Sequence, residues 1–430
     1  MKKNFRLMAM AIAAMAAVTF SACNADDDYF AEPLQSDGDL GTRAATAVFN
    51  NSKSKGVLVL QEGNMTTENG FLNFVGNDGK YYLKVGGERY ANVAQDLSLF
   101  GNTLYVVCQN YPKGNGPGAI VTVDASNFTV TDRYQTPTSV INPTHITVAA
   151  ADKIYVRSSG PNYRGQFVYC FNSADDVNPT RLSLSVDDDE TISSTTSPSA
   201  TPAATPMVVA NGYLYICSNK GLVVYKTSTN ERIGIVGSGS SFKGVIKGAG
   251  KVYAYTNGTL YIITPTSDSA AISETNTKTV TLNFSTYSNS AQMSYYNNSI
   301  FYATSGGVVY KYALSGTTTA QLGSIFTDAV DDAGSIMYNG IAVDPSTGYL
   351  YVGSTVYGNT DNKNFSNTCA LQVFDVNSSF ERVKTFQGDE RFTAGIFFWE
   401  NFDTTLSAPT VFNYVTSDQL EKYNSDEFYE

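Results

Sequence analysis

Leu104-Tyr105-Val106-Val107 sets the reading of the chain, because the same short string returns five more times. The copies are Ile154-Tyr155-Val156, Leu214-Tyr215-Ile216-Cys217, Val252-Tyr253-Ala254-Tyr255, Ile300-Phe301-Tyr302-Ala303 and Leu350-Tyr351-Val352-Gly353. Val57-Leu58-Val59-Leu60 is a seventh, degenerate copy without the aromatic. From Tyr105 to Tyr351 the spacing averages about 49 residues, within the ~40–50 expected of a four-stranded propeller blade and longer than most solenoid repeats.

Around each copy the pattern is the same. A Gly or Asn turn follows, and then a second apolar run such as Gly118-Ala119-Ile120-Val121-Thr122-Val123-Asp124 or Gly221-Leu222-Val223-Val224-Tyr225-Lys226. Continuous apolar runs belong to strands covered on both faces. Alternating stretches follow them, as in Phe128-Thr129-Val130-Thr131, and fit half-exposed outer strands. A blade cannot bury both faces alone, so seven of them must close into a ring. The fold predicted is all-β, a β-propeller of seven blades. Phe392 to Trp399 reads as an innermost strand with nothing after it, closing the blade begun at Val57. Tyr215 is expected in the core of an inner strand.

Composition agrees. Tyr (29), Phe (24) and Gly (35) outnumber what a helical protein needs, and only 16% of the 430 residues are charged. With 28 Lys and Arg against 39 Asp and Glu, the net charge of -11 offers no stripe for phosphates, which argues against nucleic acid as a partner.

The flanks divide the chain. Lys2, Lys3 and Arg6 precede an apolar stretch from Leu7 to Phe20, too short to span a bilayer, so residues 1–22 read as a signal peptide. Phe20-Ser21-Ala22-Cys23 resembles a bacterial lipobox and makes Cys23 the expected lipidation site. Multiple acyl chains there would anchor the protein to the outer membrane at the cell surface. Asp26, Asp27 and Asp28 are similar to the acidic export signal of Bacteroidetes surface lipoproteins. Residues 23–55 form the tether, 56–400 the propeller with an inserted acidic and Ser/Thr/Pro-rich loop near 186–205, and 401–430 a C-terminal extension.

Catalytic constellations are sparse. His145 is the only histidine, so a site with two imidazoles is impossible and any Ser-His-Asp triad would have to use it. Gly237-Ser238-Gly239-Ser240 sits between strands, unlike a nucleophile elbow. Asp187 to Glu190 lack the Gly-turned loop of a calcium site. No metal and no cofactor is expected. Cys108, Cys170, Cys217 and Cys369 read as buried apolar residues. Asp124, Asp344 and Asp375 stand where Asp caps turns.

The informative residues lead into the inner strands, where propeller loops converge on the axis. These are Asn92, Gln95 and Asp96; Asn142, Thr144 and His145; Phe242 and Lys243; Ser290 and Gln292; Tyr338 and Asn339; and Arg391, Phe392 and Thr393. Rich in amides and aromatics, this set suits a neutral polar ligand, a small molecule or a glycan. Catalysis by a lyase or hydrolase through His145, Arg391 or a carboxylate stays open, as does a scaffold that binds protein.

Val57-Leu58-Val59-Leu60-Gln61-Glu62-Gly63-Asn64, Tyr90-Ala91-Asn92-Val93-Ala94-Gln95-Asp96 and Thr393-Ala394-Gly395-Ile396-Phe397-Phe398 resemble the YncE-like propeller lipoproteins of Bacteroidetes. That group includes surface proteins that capture cobalamin beside a TonB-dependent transporter, so the resemblance implies a corrinoid or glycan ligand and a transporter partner. Asp268-Ser269-Ala270 and Asp403-Thr404-Thr405 resemble the O-glycosylation motif of the same phylum, which marks Ser269 and Thr404.

Overall fold

A computed structural model describes residues 49–63, 70–86, 90–111, 117–159, 167–184, 207–218, 220–256, 258–282, 293–304, 307–325, 334–357, 367–386 and 393–409. Of these, 334–339, 354–357 and 367–369 are described by backbone alone. The inserted loop near 186–205 and Cys23 lie outside the described residues.

Seven four-stranded antiparallel sheets form the propeller. The second blade is Asn92–Phe100, Thr103–Asn110, Ala119–Asp124 and Val130–Gln135, from axis to rim. The third is Pro143–Ala150, Lys153–Ser158, Phe167–Phe171 and Thr180–Leu182; the fourth is Val208–Ala210, Tyr213–Ser218, Gly221–Lys226 and Glu231–Val236. The fifth is Gly244–Gly248, Lys251–Tyr255, Thr259–Ile263 and Thr277–Thr279; the sixth is Met293–Tyr296, Ser299–Ala303, Val308–Ala313 and Thr319–Ser324. The seventh is Gly334–Val343, Tyr349–Tyr357, Asn367–Asp375 and Glu381–Phe386. The repeated Leu-Tyr-Val string is always the second strand. Tyr215 is therefore one strand farther from the axis than the sequence suggests, although it is fully buried as expected.

The first blade takes its inner strand, Thr393–Phe398, from the end of the chain and its others, Val57–Gln61, Phe71–Val75 and Tyr81–Tyr82, from the start. Val57 pairs with Phe398, Leu58 with Phe397, Val59 with Ile396 and Leu60 with Gly395. Val57–Gln61 is buried at every position, as a strand covered on both faces must be. Just upstream, Gly56 has a φ of +134°, and a Cβ there would fall 2.2 Å from the Phe74 ring, so only glycine fits. A single parallel bridge, Asn339 to Gly395, links the seventh blade to the first.

Apolar side chains fill the spaces between neighbouring sheets. One cluster joins Leu58, Leu60 and Phe74 of the first blade to Leu97, Val106 and Val121 of the second. Another joins Tyr253, Leu260 and Ile262 of the fifth to Ile300, Tyr302 and Tyr312 of the sixth. Cys108, Cys170 and Cys217 are buried thiols, as expected. The inner strands have a further problem, since edge amides facing the axis need acceptors. Side chains from the preceding blade supply them: Asp96 Oδ2 accepts from Ile146 N (3.0 Å), Ser98 Oγ from Val148 N (3.2 Å) and Ser294 Oγ from Val343 N (2.9 Å).

The α-helical content among the described residues is one short helix, Asp268–Ala271, capped by Ser267. Residues 401–409 of the C-terminal extension run along the second blade, where Gly101 N donates to Asp403 O (3.0 Å) and Trp399 Nε1 to Leu406 O (2.9 Å).

Candidate functional site

The leading ends of the inner strands gather polar side chains from three consecutive blades. Glu62 directly follows the second strand of the first blade, and its backbone O accepts from Ala94 N (2.8 Å) on the second blade. Its carboxylate Oε1 accepts from Gln95 Nε2 (2.8 Å). One residue on, Asp96 Oδ1 accepts from Leu97 N (2.9 Å), while Oδ2 takes Ile146 N and stands 3.3 Å from His145 Nδ1. Asp96 and His145 are both buried, and Gln95 is half-buried. A carboxylate beside Nδ1 fixes the imidazole's orientation and favours the tautomer with its proton there.

Backbone irregularity sets these directions. Strand register shifts between Ala94 and Asp96 and between Pro143 and His145, so each inner strand carries a bulge where its polar side chains emerge. A bulge adds an unpaired residue and re-aims the next side chain. Just upstream, Val93 (φ 57°) and Asn142 (φ 50°) are held in the left-handed region. Asn142 O accepts from Ser159 N (3.0 Å) and Ser159 Oγ (3.1 Å), which ties that turn to the adjoining strand.

Behind His145, and paired with it across the strands, lies Arg157. This guanidinium is wholly buried and donates to Cys217 O (3.2 Å) on the fourth blade. Loss of hydration pushes the Arg157 side chain down to about 10, because a charge with no water around it is costly. The same burial pushes the Cys217 thiol up to about 12, so it is no nucleophile.

The other expected residues divide sharply. Asn92 and Asn142 lie at this end, both buried. Lys243 lies at the leading end of the fifth blade's inner strand, half-buried, its N donating to Tyr255 O (2.7 Å). Phe242 corrects the sequence expectation. It has no exposed surface, and its ring packs 5.2 Å from Tyr261 in the core between the fourth and fifth blades rather than at an open mouth. Tyr338 and Asn339 lie on the seventh inner strand, described by backbone only, and Gln292, Arg391 and Phe392 fall outside the described residues.

Ser269 is exposed, next to an Asp268 that accepts from Tyr213 OH (2.7 Å) and pairs with Lys226 (3.1 Å). Thr404, by contrast, is half-buried and donates its hydroxyl to Gly101 O (2.6 Å). Glu62 and Arg157 were missed by sequence reasoning. Each breaks an apolar strand with a charge, after Val57–Gln61 and after Ile154-Tyr155-Val156, and that interruption was the available signal.

At the opposite end of the axis Lys247 on the fifth blade donates to Val209 O (3.2 Å). Surrounding protein lowers the proton affinity of its amine, while Asp403 of the C-terminal extension raises it.

Comparison with known proteins comes to three findings. A family described as a domain of unknown function, DUF5074, matches residues 55–399. None of the curated proteins matches significantly. Among solved structures, the periplasmic gluconolactonase PpgL of Pseudomonas aeruginosa is similar with a TM-score of 0.52 at 13% identity, over 80% of this chain and 98% of its own. A quinonprotein alcohol dehydrogenase-like protein of Bacteroides thetaiotaomicron gives 0.50 at 13% identity, over 81% of this chain and 79% of its own. At such identities the likeness concerns the fold.

Proposed function

This chain belongs to the DUF5074 family, and on that footing we propose that it is a surface lipoprotein whose propeller captures a neutral polar ligand, a corrinoid or a glycan, at the leading ends of its inner strands. One observation carries the reading: Glu62, Gln95, Asp96 and His145 converge there from three blades in an ordered, hydrogen-bonded group. Groups so fixed lose little entropy on binding. The resemblance to YncE-like lipoproteins supports the cargo class and a TonB-dependent transporter as partner. Lys55 and Gly56 meet Glu400 and Trp399 at the trailing ends of the strands, opposite the polar group.

The test is calorimetric titration of the full chain with cobalamin, related corrinoids and neutral oligosaccharides. Gln95→Ala and Lys243→Ala are expected to weaken Kd by about tenfold or more, ~1.4 kcal/mol, with the fold intact. A ligand bound equally well by both variants would place the site elsewhere.

The Asp96–His145 contact favours a second reading, acid–base catalysis at the same place. Turnover lost in His145→Asn, with binding retained, would select it.

A further inference from the structure

The two blades that supply Asp96 and His145 present them with the same backbone device. Three residues before Asp96 stands Val93, with a φ of 57°, and three residues before His145 stands Asn142, with a φ of 50°. After each the ladder shifts register, between Ala94 and Asp96 in one blade and between Pro143 and His145 in the other. A left-handed residue and then a bulge thus precede each member of the pair at the same spacing.

Chemically the two left-handed residues are not equivalent. Asn tolerates this region because its short polar side chain can bond locally, whereas a β-branched side chain crowds the backbone there. Among the described residues ten other than glycine have a positive φ; five are Asn, and Val93 is the only β-branched one and the only one inside a strand. Its neighbours hold it. Tyr90 N donates to Gly70 O (2.8 Å), Gly70 N to Ala91 O (3.1 Å), Ala94 N to Glu62 O (2.8 Å) and Arg133 Nε to Tyr90 O (2.8 Å). Gly70 lies so close that a Cβ on it would stand 2.8 Å from the Ala94 Cβ. A disfavoured conformation survives only where the surroundings over-determine it, and such residues cluster at functional sites.

We propose that Val93 is a positioning residue: its left-handed backbone, with the bulge that follows, aims the Asp96 carboxylate at His145 Nδ1, and the chain retains this strained turn because the contact needs it. The proposal rests on the capture site described above and names the residue that orients it. Asn142 does the same for His145 in the third blade without the strain.

The experiment reads the ring of His145, the only imidazole in the chain, by long-range proton–nitrogen spectroscopy of the full chain. Asp96→Asn gives the signature of the lost carboxylate. Val93→Gly and Val93→Asn, both at ease in the left-handed region, are expected to keep the wild-type ring signals, and Val93→Pro, fixed at a φ of about −65°, to move them to the Asp96→Asn positions. Chemical denaturation supplies a second readout. Val93→Gly should exceed Val93→Ala by about fivefold or more in the folding equilibrium, reversing the usual order of these residues in a strand, because a Cβ is penalised at positive φ. If Val93→Pro fails to fold, the order of the glycine and alanine variants decides. Val93→Ala as stable as Val93→Gly overturns the proposal. So does a Val93→Gly protein with the Asp96→Asn ring signals, which would make the Val93 side chain the support in place of its backbone. The ring is read without ligand, so variants that behave as expected in a protein that binds neither cobalamin nor the oligosaccharides support the positioning role and refute capture alone.

Discussion

Replacing Trp399 with alanine tests whether the last strand locks the ring. Trp399 is the only tryptophan in the chain, is 1% exposed, and follows directly on the closing strand. Its ring meets Phe128 of the second blade edge-on at 6.4 Å, its Nε1 donates to Leu406 O, and its backbone N donates to Gly56 O (3.1 Å). Truncating a buried Trp to Ala costs about 3–5 kcal/mol, and the lost side-chain hydrogen bond adds about 1 kcal/mol. Unfolding entropy near 2.1 cal/mol/K per residue over roughly 350 folded residues gives about 0.7 kcal/mol/K, so melting should fall by about 6–8 °C. Circular dichroism at a fixed scan rate measures this. In wild type the lone indole reports independently: its emission should be that of a buried ring and should shift red in the same transition. A Trp399→Ala protein melting within about 1 °C of wild type, or a native indole readily quenched by acrylamide, would refute the docking of the closing strand.

Phe242→Ala should destabilise the fold by about 3–5 kcal/mol in chemical denaturation and leave the Kd of any axial ligand unchanged, because the ring is core. Cys23→Ala should release the protein from membranes, read by fractionation together with loss of labelled lipid. Intact mass from the native host should show sugar lost on Ser269→Ala and no change on Thr404→Ala, since the Thr404 hydroxyl is already donated to Gly101 O.

The architecture was readable because it rests on repetition. The Leu-Tyr-Val strings fall on seven second strands, and the run after Phe392 fills the one missing inner strand. Which side chains face the axis was not readable, and the bulges explain why. Alternation assigns faces only while the register is unbroken, and it breaks at Ala94/Asp96, Pro143/His145 and Ile336/Ile341, where residues begin to approach the axis. Phe242 was misassigned on the same assumption, that a residue beside an inner strand points to its mouth. Asp344 was read as a turn former and is one, its Oδ1 accepting from Ser346 N and Thr347 N.

The borrowed inner strand also fixes an order of assembly. A chain made from its N-terminus has delivered six whole blades before Thr393 appears, yet the Val57–Gln61 edge stays unpaired throughout. A naked apolar strand edge is a template for pairing with the wrong chain. Synthesis of this chain therefore creates a precursor with one adhesive edge, which persists while the roughly 330 residues between Gln61 and Thr393 are made, about 17–66 seconds at ~5–20 residues per second.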